Sequence, residues 1–211
     1  ASSPPSPLRV RVSARPLAPG VAGDTIEPET DSGLQCEPAM VALDFASGDS
    51  VADIAVTTGA GTIFNACKVT PGETVAVVGC GGVGLATINA AKIAGAGRII
   101  AADPVPEKRE LAKKLGATDV VDALSDDAAK QILEISKGGV DHAIEPVGRP
   151  ASASLAVATL RRGGTATILG MMPLAEKVGL SAMDLLSGKK LQGAIMGGNR
   201  FPVDIPRLVD F

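Results

Sequence analysis

The sequence predicts an α/β fold built on a doubly wound parallel sheet. From about Asp44 onward, apolar runs of strand length alternate with helical patterns of about 10 to 15 residues, the rhythm of repeated βαβ units. Those runs are rich in Val, Ile and Ala and alternate only weakly between apolar and polar, as strands do when helices cover both faces of their sheet. At 211 residues and 45% hydrophobic content, the chain can bury one ordinary core and is too short for two full domains with linkers.

Each element has its own local reason. Thr58 to Lys68 has a helical pattern and stops before the turn Pro71-Gly72, and strand one follows as Thr74 to Val78. A helix opens near Gly82 with Leu85, Ile88 and Ala91 on one face, and Gly95 and Gly97 stop it. Strand two is Arg98 to Ala102. Pro106 then suits a first helical position, Leu111 and Leu115 share a face, and Gly116 supplies the cap. Strand three is short, Asp119 to Asp122. A helix carrying Ile132, Leu133 and Ile135 precedes the break at Gly138-Gly139, and strand four is Val140 to Ile144. A helix over Ala151 to Leu160 leads through Gly163-Gly164 into strand five, Thr165 to Leu169. A short helix near Met183 to Leu186 and a last strand, Leu191 to Met196, close the series. Residues 1–45 differ in texture. Seven of the 15 prolines precede residue 40, with Ser, Gly and acids between them, so this segment is expected to be poorly structured and 46–211 to form the single domain.

Composition excludes several function classes. A net charge of -3 argues against tracking nucleic-acid phosphates, which takes a basic stripe. No apolar run approaches the roughly 18 residues that span a bilayer. With four Phe, no Trp and no Tyr, aromatic stacking platforms are excluded. Cys36, Cys67 and Cys80 are scattered and odd in number, which favours a reducing, cytoplasmic setting over a disulfide scaffold. Arg9, Arg11 and Arg15 faintly suggest a transit peptide, but the prolines around them would break its helix. Three dispersed thiols and a single His have no metal-ligand spacing. His142 falls inside strand four and is expected to be a packed strand residue; Cys80, beside a helix N-terminus, is expected to be a small apolar filler and alternatively a thiol of lowered pKa.

The chemistry concentrates after strand one, where Gly79, Gly81 and Gly84 set a GxGxxG between a strand and a helix. The first glycine permits the tight turn, the second lets a pyrophosphate approach the backbone, and the third allows close helix–strand contact. The helix N-terminus adds unpaired amides and a partial positive charge. Nineteen residues after Gly84, strand two ends at Asp103, where a carboxylate can accept from both hydroxyls of an adenosine ribose and disfavours a 2′-phosphate. NAD is the expected cofactor. A methyltransferase also combines a glycine loop with an acid after strand two, but the third glycine argues against it.

The run TTGAGTIFNACKVTPGETVAVVGCGGVGLATINAAKIAGAGRIIAADPVPEKRELAKKLGATDVVDA resembles the cofactor domain of zinc-dependent medium-chain alcohol dehydrogenases. VDHAIEPVGR, GGTATILGMMP and LLSGKKLQGAIMGGNRFPVDIPRLVDF continue the likeness in the same order, over roughly residues 51 to 211. The resemblance implies a Rossmann-type domain in which Gly79, Gly81, Gly82 and Gly84 hold the pyrophosphate and Val83 lies against the nicotinamide. It implies that Asp103 and Lys108 form a ribose pair and that Arg149 stands at the adenosine end. Thr58 matches a residue touching the nicotinamide, and Leu169, Ala194 and Met196 match backbone groups that bind its carboxamide. Lys108 and Arg149 also fit as solvated helix-end charges, and Thr58 as a helix cap. A homodimer through the strand Leu191 to Met196 is implied as well.

The same resemblance implies a catalytic zinc that activates an alcohol or aldehyde for hydride exchange with NAD. No ligand set for it is found here. Ile54 stands where the last zinc cysteine is expected, and residues 1–50 hold no His and only Cys36, so 1–45 reads as a remnant or truncated catalytic domain. The C-terminal residues Arg207 to Phe211 read as the opening of a helix. The expected function is the NAD-binding domain of an alcohol dehydrogenase-like oxidoreductase. The alternatives are a catalytically silent NAD(H)-sensing module and a zinc-free enzyme resembling quinone reductases.

Overall fold

The structure, a computed structural model, describes residues 10–14, 41–45, 50–52 and 54–204, with side chains from residue 55 on. The chain divides into two compact units, Ala1–Val56 and Thr57–Phe211.

The first unit carries three strands that the Pro-rich composition hides: β1 (Val10–Ala14), β2 (Val41–Phe45) and β3 (Ser50–Ala52), in an antiparallel sheet of order β1-β2-β3. The register sets Val10 opposite Phe45 and Val12 opposite Leu43. Apolar residues at alternate positions in VRVSA and VALDF supply the period of two that a strand needs, over runs too short to stand out among the prolines.

The second unit is built around β4 (Thr74–Val78), β5 (Arg98–Ala102), β6 (Asp119–Val121), β7 (Val140–Glu145), β8 (Leu160–Ile168) and β9 (Lys190–Gly193). All pair in parallel, in the order β6-β5-β4-β7-β8-β9. The direction in which successive strands are added to the sheet reverses between β4 and β7, the switch point at which open α/β sheets leave a crevice outside their C-terminal strand ends. Alternate residues of β4 supply two cores. Val75 and Val77 join Ile63, Ile88 and Ile99 on one face, while Ala76 and Val78 join Ile100, Ile132 and Val157 on the other. Burial of each large aliphatic side chain contributes about 1.5–3 kcal/mol.

The helices are α1 (Ile54–Gly61), α2 (Gly82–Ile93), α3 (Pro106–Leu115), α4 (Ala128–Ile135), α5 (Pro150–Ala158) and α6 (Ala182–Leu186). α1 runs on as a wider π-helical segment over Thr62–Cys67 and ends at left-handed Lys68 (φ 53°). α3 begins at the expected Pro106 and ends at Gly116, whose φ of 129° suits only glycine.

Two strands depart from expectation. β8 starts at Leu160, not Thr165, because Gly163-Gly164 is a bulge inside the strand rather than a break before it. Val140 pairs with Leu160 but His142 with Thr165, so 161–164 loop out of register, with Gly163 at φ 77°. The last strand ends at Gly193 and does not reach Met196. Met196, Gly197 and Gly198 have φ of 52°, 72° and 67°, a left-handed run that no strand accommodates. The C-terminal residues 205–211 lie outside the described residues.

Candidate cofactor site

The glycine loop leaves the C-terminal end of β4 at the switch point. Gly79 takes φ 118° and donates its N–H to the Ala102 carbonyl at 2.7 Å, which ties the ends of β4 and β5 together. A Cβ on Gly79 would drive into the Val147 side chain, and one on Gly84 into the Gly79 carbonyl. Gly81 is different: it caps α2 in an extended conformation, and a Cβ there meets nothing within 4 Å. Two glycines are thus required by packing, whereas the middle one faces open space. Gly81 and Gly82 are exposed and Val83 is half-buried, so the first turn of α2 presents its amides outward.

Asp103 stands immediately beyond β5 and is 4% exposed. One carboxylate oxygen accepts from the Cys80 amide at 2.7 Å and the other from the Val105 amide at 2.9 Å. A carboxylate offers about four lone-pair positions, so each oxygen retains capacity for a further donor. Arg109 organises the turn around it, donating to the Asp103 carbonyl at 2.6 Å and the Pro104 carbonyl at 3.0 Å, and it pairs with Asp122 at 3.6 Å. Lys108 is exposed on the first turn of α3. Burial, then the Asp103 charge, pushes the Cys80 thiol up to about 12, and Lys108 and Arg109 offset this only in part. Cys80 is therefore a buried filler, not an activated thiol.

On the far side of the switch point, Glu145 ends β7 fully buried. Its Oε1 accepts from the Val147 and Gly148 amides at 3.0 and 2.8 Å and from the Ser152 hydroxyl at 2.6 Å, which shapes the turn leading to α5. Arg149 caps α5 with its backbone, and its side chain is exposed. Leu169 follows β8 and donates its N–H to the Glu145 carbonyl at 2.8 Å. Ala194 is buried just after β9, its N–H donating to the Ile168 carbonyl at 3.0 Å, and half-buried Met196 opens the left-handed run. Thr58, 7% exposed, lies inside α1 rather than capping it, and its carbonyl accepts from the Thr62 hydroxyl at 2.7 Å.

The glycine loop and Asp103 are brought into direct contact, and Leu169, Ala194 and Met196 follow neighbouring strand ends on the same side of the sheet. Lys108 and Arg149 stand at the starts of their helices with exposed side chains. Glu145 and Arg109 escape sequence reasoning. An acid closing an apolar strand before Pro146 is a readable signal for Glu145; Arg109 acts through contacts with backbone carbonyls that no local pattern reveals.

Away from this crevice, His142 and Cys67 make contacts inside the fold. His142 pairs with Glu73 at 3.2 Å toward the N-terminal strand ends. Burial raises the Cys67 thiol, and a 3.3 Å contact with the Thr167 hydroxyl opposes this only partly. Among the described residues, no group of three or more His, Cys, Asp or Glu side chains is placed to hold a metal ion. The Ile54 side chain carries no donor atom, so the described residues do not fit a catalytic zinc. Among the described residues no helix is long and apolar enough to cross a membrane.

The family described as zinc-binding dehydrogenase matches residues 82–211. The chain belongs to this family. Its curated relatives include an S-(hydroxymethyl)glutathione dehydrogenase from Synechocystis sp., 39% identical over 158 residues (74% of this chain and 43% of the relative), and alcohol dehydrogenase-like 5 from Arabidopsis thaliana, 40% identical over 159 residues (74% and 41%). The solved benzyl alcohol dehydrogenase from Acinetobacter calcoaceticus superposes with a TM-score of 0.72 at 35% identity, covering 78% of this chain and 47% of that one. A zinc-binding dehydrogenase-type structure from Sinorhizobium meliloti 1021, bound to NADP, matches at 29% identity and a TM-score of 0.68 over 80% and 50%. The chain thus spans less than half the length of the curated relatives it matches. The zinc-dependent alcohol dehydrogenase family and the Rossmann-type α/β fold read from the sequence are both borne out.

Proposed function

We propose that this chain is the NAD(H)-binding unit of an alcohol dehydrogenase-type oxidoreductase, which exchanges hydride between an alcohol or aldehyde and NAD. The observation that carries the reading is the open space beside Gly81 at the head of α2, with buried Asp103 tied to the same loop. Gly79, Gly81, Gly82 and Gly84 hold the pyrophosphate, and Val83 lies against the nicotinamide. Asp103 accepts from the adenosine ribose with its free lone pairs while Lys108 neutralises the charge beside it; Arg149 serves the adenosine end. Thr58 and the backbone of Leu169, Ala194 and Met196 receive the nicotinamide. When bound, the nicotinamide ring supplies the hydride acceptor or donor. The carboxylate of Asp103 repels a 2′-phosphate, which favours NAD over NADP.

A fluorescence titration tests this. NADH is expected to bind and NADPH to bind more weakly; no binding of either overturns the proposal.

A second reading, a catalytically silent NAD(H)-binding module, is favoured by the lack of a zinc ligand set among the described residues. NADH binding with no alcohol oxidation in the presence of added zinc supports it, and turnover removes it. The scattered cysteines support a cytoplasmic setting, with Cys67 and Cys80 both free. β9 is an outer strand of its sheet, and exposed Met183, Leu186 and Ile195 flank it in sequence, which supports pairing of two copies along that edge. Light scattering is expected to give twice the 21.1 kDa chain mass; a monomeric mass overturns the dimer.

A further inference from the structure

The turn after β9 is held in an unfavourable backbone conformation by one side chain. Met196 is a non-glycine residue at φ 52°, ψ 29°, followed by two left-handed glycines. Such a conformation is strained for a side-chain-bearing residue and persists only where its surroundings impose it. Asn199 imposes it. Its Nδ2 donates to the Met196 carbonyl at 2.6 Å and to the Thr57 carbonyl at 2.7 Å, using both amide protons, and its Oδ1 accepts from Asn65 at 3.1 Å. Asn65 also donates to Asp204 at 3.2 Å, and Asp204, 2% exposed, accepts from the Arg200 amide at 2.7 Å.

The helix that receives this latch is cut to fit it. A Cβ on Gly61 would overlap the Asn199 amide, and one on Gly197 would overlap the Thr58 carbonyl. The same helix reaches the glycine loop through a third close approach: a Cβ on Gly59 would stand 2.8 Å from the Val83 carbonyl and 2.7 Å from the Thr87 amide of α2. α1 is therefore a spacer, with the first turn of α2 on one side and the turn 194–198 on the other. Asn199 fixes the second contact.

We infer that Asn199 is a positioning residue for the nicotinamide end of the bound dinucleotide: it sets the orientation of the Met196 peptide and the distance of that turn from the head of α2. Its own donors are all used within the protein, so it acts through the turn and not by touching the ligand. The inference rests on the proposed NAD(H)-binding reading.

The test compares NADH with ADP-ribose, which shares the adenosine, both riboses and the pyrophosphate but has no nicotinamide. Asn199→Asp keeps the side-chain shape and removes both donors. In the full chain it is expected to weaken NADH about tenfold or more while ADP-ribose binds as to the parent protein. Unchanged ADP-ribose affinity also reports an intact fold. Asn65→Ala, one bond further out, is expected to shift the same ratio in the same direction by a smaller factor. Equal loss of both ligands would assign Asn199 a merely structural role and overturn the inference, as would unchanged NADH affinity. A parent protein that does not bind NADH overturns the underlying reading together with the inference, whereas one that binds NADH but gives either of those two outcomes in the variant overturns the inference alone.

Discussion

Asp103 does two jobs with one carboxylate. Its hydrogen bonds to the Cys80 and Val105 amides hold the glycine loop and the start of α3 against the end of β5, and its remaining lone pairs are the ones proposed for ribose. Replacement by Ser removes both. The buried Cys80 amide and the partly buried Val105 amide lose a charged acceptor, which costs about 1–3 kcal/mol where water cannot replace it. Loss of the charge also removes the repulsion of a 2′-phosphate. Asp103→Ser is therefore expected to lower the unfolding midpoint in urea, to weaken NADH about tenfold, and to bring the NADPH affinity closer to that of NADH. An unchanged ratio of the two affinities would show that the ribose does not reach Asp103. Arg109 braces the same turn through the Asp103 and Pro104 carbonyls.

The glycine loop separates what the fold needs from what a ligand needs. At Gly84 a Cβ has nowhere to go but the Gly79 carbonyl, whereas at Gly81 it enters open space with φ at -77°, a value any residue adopts. Gly84→Ala is thus expected to destabilise the domain by about 1–3 kcal/mol through overpacking of β4 against α2. Gly81→Ala is expected to cost under about 1 kcal/mol, the loss of a good N-cap residue, yet to weaken dinucleotide binding because its methyl group occupies the space beside the α2 amides. Thermal melts and NADH titrations of the two variants check the contrast, and equal effects on both properties would remove it. β4 and β5 are legible to the residue, since each has four consecutive apolar residues after its polar first residue and is closed by Gly79 or Asp103. β8 is not, because Gly163-Gly164 looks like a break and becomes a bulge only when β7 fixes the register beside it. The turn after Gly193 was hidden for a related reason: Asn199 bonds to Thr57, a contact 142 residues apart that no periodicity contains.

Across the second unit, the two ends of the sheet have opposite characters. The C-terminal strand ends carry the open glycine loop and the left-handed turn, whereas the opposite end is closed by side chains that cross three neighbouring strands. Asp141 of β7 accepts from the amide and hydroxyl of Thr74 on β4 at 2.8 and 2.6 Å, and from Arg161 on β8 at 2.6 Å. Beside it, His142 contacts Glu73. Burial pushes the Asp141 carboxyl up from 3.8, but the hydrogen bonds from Thr74 and Arg161 outweigh it and hold it below that value. Glu73 is likewise held below 4.5: its burial, which raises it, is outweighed by the Thr70 amide and His142. Carboxylates depressed in the folded state stabilise it fully above their unfolded pKa values, and that contribution is lost as pH falls through the lower folded ones. Stability is therefore expected to hold at neutral pH and to fall on acidification below about pH 4.5, the upper of the two ordinary values. Asp141→Asn should cost about 1–3 kcal/mol at pH 7, because charged acceptors for Thr74 and Arg161 are lost, and should flatten the decline below about pH 3.8, the ordinary value of that carboxyl. Urea midpoints from neutral pH down through that value measure both effects; a variant whose midpoint falls as steeply as that of the parent protein would show that the clasp around Asp141 does not govern acid unfolding.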